Sequence, residues 1–299
     1  MKPVTTQPIA SSSLPLVVEE QIDVASCPFL RSHVLDGKAV VPMAMLPEWL
    51  AHGALHGNPG LKFHGCDNLS VLKGLVLDAD GGLRLKIHAG DAVKGDDGYR
   101  VPVELRAAQS DGREFLYARA EILLTENLPS DEPRLVAPEG RAYEKTAAET
   151  YRDHLFHGPD LQGIERVLVC SPEGVIADAS AAPPPKEWME RPFRRRWLTD
   201  PLVLDVGIQL LTFWTGVHSA GPSLPCAAAR YRQYRAFPKD GARVVARITK
   251  SDATRAFADI EFLDADGQLI ARFEGCENTI DEGLASTFRS NRLPLEVSS

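Results

Sequence analysis

Two stretches of this chain are apolar nearly all the way round a helix: Pro42–Leu55 (PMAMLPEWLAHGAL) and Leu202–Val217 (LVLDVGIQLLTFWTGV). A surface helix shows one apolar stripe, so helices greasy on every side are predicted to lie buried. Each is followed by short segments in which apolar and polar residues alternate, the two-residue period of strands with one face on a core. After the first helix these are LRLKIHA from Leu83, VPVELRA from Val101 and FLYARAEILL from Phe115. After the second they are ARYRQYRAF from Ala229, ARVVARIT from Ala242, FADIEFL from Phe257 and QLIARFEG from Gln268. Asp97-Gly98, Asp111-Gly112 and Asp266-Gly267 supply hairpin turns between them. The order is helix, antiparallel strands, then the same again. A buried helix wrapped by a curved antiparallel sheet, made twice, is an α+β double hotdog, although a generic pair of α+β domains predicts much the same string.

The domain division follows. Residues 1–16, rich in Ser, Thr and Pro, read as a flexible leader, and 17–125 as the N-terminal hotdog. The Pro-rich, acidic segment 126–140 reads as a linker, 141–286 as the C-terminal hotdog, and 287–299 as a flexible tail. Such ends suit a unit tethered inside a longer polypeptide.

Composition narrows the function classes. Of 299 residues, 33 are Lys or Arg and 41 are Asp or Glu, a net charge of −8 that argues against nucleic acid as a partner. No run of eighteen apolar residues occurs, so no membrane span is expected, and the first residues lack the apolar core of a secretion signal. Cys27, Cys66, Cys170, Cys226 and Cys276 lie far apart with no CxxC pair, which reads as reduced thiols and a cytoplasmic setting. GxGxxG, GxxxxGK[ST] and GxSxG are all missing, which leaves nucleotide binding and a nucleophile elbow without support.

Three segments could carry acid–base chemistry. His33 stands just before the first buried helix, with Gly37 four residues on, able to make a tight turn, and Pro42 nine on, able to open the helix. An imidazole there could move protons near neutral pH, or it could merely pack. Asp205 lies among Leu202, Val203, Leu204, Val206 and Ile208. Burial should raise its pKa and let it act as a general acid, with Gln209 one turn on to orient it; a helix-capping role is the alternative. His157, Gly158 and Pro159 open the second half, where Gly-Pro is by default a turn. Glu48, His52 and His56 share one helix face at a spacing that could hold a metal, but no second ligand pair beyond His64 and Cys66 is evident, and structural roles are expected. Arg191, Arg194, Arg195 and Arg196 concentrate positive charge in an acidic chain, as a solvated face or as a docking patch for an acidic partner.

Taken together, these segments resemble the dehydratase domains of polyketide synthases. HVLDGKAVVP (His33 to Pro42) is similar to the family's HxxxGxxxxP motif. DPLVLDVGIQ (Asp200 to Gln209) resembles HPxxLDxxxQ/H, HLFHGPDLQG (His154 to Gly163) resembles GYxYGPxFQG, and Leu224-Pro225 resembles the start of LPFSW. The likeness covers residues 20 to 285, and its wording around Val40–Leu61 is similar to dehydratase-like domains of bacterial polyunsaturated fatty acid synthases. Asp200 replaces the family's histidine, Leu155 and His157 replace its two tyrosines, and Cys226-Ala-Ala replaces the rest of LPFSW.

The resemblance implies elimination of water from 3-hydroxyacyl chains carried as phosphopantetheine thioesters on an acyl carrier protein. His33 would be the base, Asp205 the acid, Gln209 its orienting partner, and the Gly37 N–H a candidate to polarise the thioester oxygen. Pro42, His157, Gly158 and Pro159 would orient or bind substrate, with His157 standing in for a tyrosine as donor. Neither a metal nor any other cofactor is expected. The expected partners are the carrier protein, docked on Arg191, Arg194, Arg195 and Arg196, and neighbouring domains of a multidomain synthase, with a homodimer left open. Two readings compete: a product-template-like cyclase, and a catalytically silent carrier-binding domain.

Overall fold

The computed structural model describes residues 13–77, 82–108, 113–130 and 132–294. The first half runs β1 (Leu16–Ile22), β2 (Val34–Leu35), β3 (Lys38–Ala39), α1 (Met45–His56), β4 (Lys62–Val71), β5 (Leu83–Ala89), β6 (Val93–Gly95), β7 (Gly98–Ala108) and β8 (Glu114–Thr125). The second half runs α2 (Ala147–His154), β9 (Ile164–Ser171), β10 (Gly174–Ala179), α3 (Pro185–Trp188), α4 (Pro201–His218), β11 (Ser223–Gln233), β12 (Ala242–Ser251), β13 (Arg255–Leu263), β14 (Leu269–Ile280) and α5 (Leu284–Arg289).

Apart from β2 and β3, which pair with each other, the strands join into one antiparallel sheet ordered β1-β5-β7-β8-β4-β11-β14-β13-β12-β10-β9, with β6 flanking β7. The order reads alike outward from the centre, since a helix-wrapping meander follows α1 and again follows α4. This is the double hotdog. The all-apolar character of the two central helices is explained by what covers them. α1 packs on β4, β5, β7 and β8, and α4 on β10 through β14. Every residue of α4 from Pro201 to Thr215 is buried, and in α1 only His52 and His56 escape burial. The halves are stitched by β4 and β11, which pair from Ala227 opposite Ser70 to Arg232 opposite Gly65. At that seam the buried Arg232 guanidinium reaches the Cys66 carbonyl and an Asp67 oxygen at 2.8 Å. None of the described helices is long and apolar enough to cross a membrane.

Several boundaries differ from the sequence reading. Residues 1–12 of the leader, the Asp111-Gly112 turn and residues 295–299 of the tail lie outside the described residues. Residues 13–16 run into β1, where Leu14 and Pro15 carbonyls accept from His88 and Ala89. Residues 287–294 are held against the molecule, because the Ser290 carbonyl accepts from the Gly37 N–H and Asn291 donates to the Phe156 carbonyl. The linker lies along the second half of the main sheet, where Glu132 pairs with Arg230 and Arg272, and Arg134 pairs with the buried Glu261. Pro42 does not open α1. It stands three residues before the first helical residue, and its carbonyl accepts from the Met45 N–H in the turn that leads into the helix.

Candidate active site

His33 ends a short 3-10 turn (Pro28–Ser32) and faces the hairpin of β2 and β3. Asp36 and Gly37 turn that hairpin with φ of 51° and 71°. Such left-handed pairs make tight hairpin turns, and glycine enters them without steric cost. The turn folds Val40 back onto His33, so that the Val40 N–H donates to the His33 carbonyl and the Val40 carbonyl accepts from His33 Nδ1 at 2.7 Å. A carbonyl can only accept, so Nδ1 carries the ring proton and Nε2 keeps its lone pair. The spacing between His33, Gly37 and Val40 therefore sets a tautomer.

Asp205 is the fifth residue of α4. The helix is capped by Asp200, whose carboxylate accepts from Leu202 and Val203 N–H groups and from the Ala182 N–H. With the cap supplied by Asp200, Asp205 is free of that duty. One turn on, Gln209 Nε2 donates to Asp205 Oδ2 at 2.6 Å and to the Leu161 carbonyl at 2.8 Å. The Gln209 amide is itself held. Tyr151 of α2 donates its hydroxyl to Gln209 Oε1 at 2.7 Å and accepts from the Ile164 N–H at 2.9 Å. Tyr151 was not singled out from sequence. Its available signal was Thr146-x-x-Glu149, a capping box that starts α2 and turns Tyr151 inward.

His157 completes the group. Its Nε2 lies 3.5 Å from Asp205 Oδ2, and its ring stacks on Phe156 at 4.1 Å and sits 5.2 Å from the His33 ring. The contact between halves comes from the next residue. The Gly158 N–H donates to the Ser32 carbonyl at 2.7 Å, and a Cβ on Gly158 would sit 2.9 Å from Ser32 Cα. Ser32 Oγ and Asp160 close the same junction at 2.8 Å. Gly158 and Pro159 thus build the wall that brings His157 beside His33. They are absent from the cavity lining, as is Pro42.

The titratable atoms of His33, His157 and Asp205 all lie within 4.8 Å of one another, although His33 and His157 come from opposite sides of the junction between halves and Asp205 from α4. They are 8%, 6% and 2% exposed, so their ionised forms are poorly hydrated. Burial pushes the Asp205 carboxyl up to about 7, opposed by the Gln209 hydrogen bond. Burial also lowers His33 to about 4, opposed by the Val40 bond, and holds His157 well below the usual histidine range, helped by nearby His33. Near neutral pH the site holds two neutral imidazoles and a carboxyl balanced between its forms.

The three side chains face a cavity of about 360 Å³. Its walls are mostly apolar, with Val41, Met43, Leu46, Leu75, Ile208 and Leu224 among them. Lys38 and Lys73 are its cationic members. Arg191, Arg194, Arg195 and Arg196 are exposed between α3 and α4 and are absent from the lining. Gly37 is not among the residues lining this cavity, and its N–H is already bound to the Ser290 carbonyl, which leaves it no free donor for a thioester oxygen. Glu48, His52 and His56 do not converge on an ion site. Glu48 accepts from the Leu198 and Thr199 N–H groups, and His52 stacks on Phe193.

Comparison with known proteins bears on the family and the fold. The family described as "Polyketide synthase dehydratase N-terminal domain" matches residues 124–282, more than half of the chain. A polyunsaturated fatty acid synthase polypeptide of Thraustochytrium sp. (strain ATCC 26185 / S-3) is 25% identical over 226 residues, which cover 75% of this chain and 8% of that protein. The chain thus spans a small part of that relative. Among solved structures, the dehydratase domain from the CurF module of the curacin polyketide synthase is 16% identical, with a TM-score of 0.67 over 88% of this chain and 92% of that one. A trans-AT polyketide synthase dehydratase domain from Brevibacillus brevis is 18% identical, at 0.68 over 88% and 93%. The dehydratase domain of PpsC from Mycobacterium tuberculosis, solved with C12:1-CoA, is 19% identical, at 0.65 over 88% and 92%. These structural likenesses are likenesses of fold. The family match decides the matter: the chain belongs to the polyketide synthase dehydratases.

Proposed function

We propose that this domain eliminates water from 3-hydroxyacyl chains held as acyl-carrier-protein thioesters, giving 2-enoyl thioesters in polyketide or polyunsaturated fatty acid biosynthesis. The observation that carries this reading is the meeting of His33 and Asp205, from opposite halves, at one mostly apolar cavity. A thioester carbonyl acidifies the proton on C2. His33 Nε2, with its lone pair free, removes that proton as general base. As the C2–C3 double bond forms, the C3–O bond breaks and the Asp205 carboxyl gives its proton to the departing oxygen, so that water leaves instead of hydroxide. The imidazolium and carboxylate left behind return to their starting forms by proton exchange. Gln209, fixed by Tyr151, positions the carboxyl. His157 lies near enough to Asp205 to bond the substrate's 3-hydroxyl, in the place where the family carries a tyrosine.

No hydride moves in this reaction, and the proposed chemistry calls for neither metal nor redox cofactor. The family's place in multidomain synthases supports a carrier protein and neighbouring domains as partners, and the acyl-CoA bound to the Mycobacterium tuberculosis structure supports an acyl thioester in the cavity. The test is turnover of a chain-length series of 3-hydroxyacyl carrier thioesters by wild type, His33→Ala and Asp205→Asn, followed by enoyl absorbance. Each variant should lose about a hundred- to ten-thousandfold in rate while its circular dichroism is unchanged. Full activity in either variant, or release of free thiol instead of an enoyl product, overturns the reading.

A further inference from the structure

We infer that His33, His157 and Asp205 form a site for a divalent transition ion of the zinc class, and that occupancy by the ion and turnover exclude each other. Two imidazoles and a carboxylate are ligands of the type and number that such ions take, with a fourth position left over. The geometry is close to what is needed. Three atoms no more than 4.8 Å apart share a central point no more than about 2.8 Å from each, against about 2.0–2.2 Å for zinc bonds, so each ligand need move inward by less than about 0.8 Å. The 3.5 Å between His157 Nε2 and Asp205 Oδ2 already matches the roughly 3.4 Å that separates two ligands of a tetrahedral ion with such bonds.

The second observation is His157 itself. It is buried, lines the cavity, and its Nδ1 is without a hydrogen-bond partner among the described residues, while its Nε2 faces Asp205 at 3.5 Å. With no partner fixing Nδ1, the ring proton can sit there and leave the Nε2 lone pair to an ion. His33, by contrast, is already set up as a ligand. Its Nδ1–H is anchored on the Val40 carbonyl, which aims the Nε2 lone pair and raises its basicity, the arrangement seen around metal-bound histidines. Asp205 is steadied likewise by Gln209. The fourth position of the ion would open on the apolar cavity, where a water or a substrate oxygen could sit. An ion so placed would take the lone pair that His33 needs and hold Asp205 as carboxylate.

Binding stands on geometry alone, whereas the exclusion of turnover rests on the dehydratase reading. The test uses chelator-treated protein titrated with Co²⁺, read by visible absorption, with Zn²⁺ added to displace it. One equivalent should saturate the absorption and Zn²⁺ should bleach it. His33→Ala and Asp205→Asn should abolish the signal, and His157→Gln should weaken binding about tenfold or more, with circular dichroism checking each fold. Should His33→Ala fail to fold, His33→Gln serves in its place. Absence of saturable binding to the wild type overturns the inference. So does binding that survives in these variants, which would put the ion elsewhere, for example where Cys170 Sγ and His218 Nε2 lie 3.7 Å apart. In parallel, Zn²⁺ should inhibit turnover at the concentration that displaces Co²⁺, and chelator should restore it. A protein that binds Co²⁺ yet dehydrates nothing would leave the site standing and sink the dehydratase reading.

Discussion

Asp205→Asn offers a test of the acid that does not depend on knowing the substrate. The folded protein holds the Asp205 carboxyl at about 7 against 3.8 for the free group, through burial. At about 1.4 kcal/mol per tenfold, that difference corresponds to about 4 kcal/mol. Between these two pH values the folded state keeps a proton that the unfolded state has released, so stability falls as pH rises. Below pH 4 the penalty is absent, and above pH 7 it is complete. Asparagine has nearly the same shape and never ionises, so it abolishes this dependence. The stability of the variant relative to wild type should therefore climb by about 4 kcal/mol from pH 4 to pH 8, with most of the change below pH 7. With an unfolding entropy near 2.1 cal/mol/K per residue over 299 residues, that is roughly 6 °C in Tm. The assay is thermal or urea unfolding of both proteins across that pH range, comparing only their difference so that other titrations cancel. The same group should shape catalysis. Turnover needs Asp205 protonated and His33 neutral, so kcat/KM should rise through about pH 4 and fall through about pH 7. Parallel stability profiles, together with an alkaline limb far from pH 7, would refute the assignment of Asp205 as a buried acid.

Tyr151→Phe leaves Gln209 Oε1 and the Ile164 N–H without a partner in the core, and should cost about 1–3 kcal/mol of stability. It should also slow turnover by about tenfold with little change in KM, because the amide that holds Asp205 is freed; unchanged kcat would count against a positioning role. Gly158→Ala presses a methyl group against the Ser32 backbone. The junction must open, and separating His157 from His33 should lower kcat by up to about a hundredfold, measured alongside a circular dichroism spectrum that stays native. Arg194→Glu with Arg195→Glu should weaken turnover of carrier-bound substrate and spare a small pantetheine thioester, and raised salt should mimic the change. Equal loss on both substrates would exclude these arginines from carrier docking.

Much of the architecture could be read before any coordinates. α1 and α4 announced themselves because a helix covered on all sides leaves no polar stripe, and β7, β8 and β12 to β14 did so because one face of each meets a helix. β4 left no comparable trace. KFHGCDNLSV mixes Gly65 with Asn68, which takes a φ of 55° where the pairing to β8 shifts register, so its alternation is broken. β9 and β10 were hidden for a different reason, since they pair at the far edge of the sheet, and β10 precedes the helix it packs on. At the site, residue type and order pointed to His33, Asp205 and Gln209, because local motifs carry them. For Tyr151 the capping box marks only the start of its helix, and its bond to Gln209, spanning 58 positions, is invisible to local spacing. Gly37 stood in a suggestive place, but Ser290, whose carbonyl occupies its N–H, follows α5 at the other end of the chain and is invisible to local spacing.

The pairing of β4 with β11 runs through the centre of the molecule, and its severance has a definite outcome. Either lobe liberated at the connecting segment would bare a long row of unsatisfied backbone donors and acceptors along that strand, together with half of a chemical apparatus. Such a margin invites another chain, and the readiest match is a second copy of the same fragment. Fragments made for biophysical work should therefore self-associate rather than persist as inert monomers, and only co-expression of both lobes should restore an intact reaction centre.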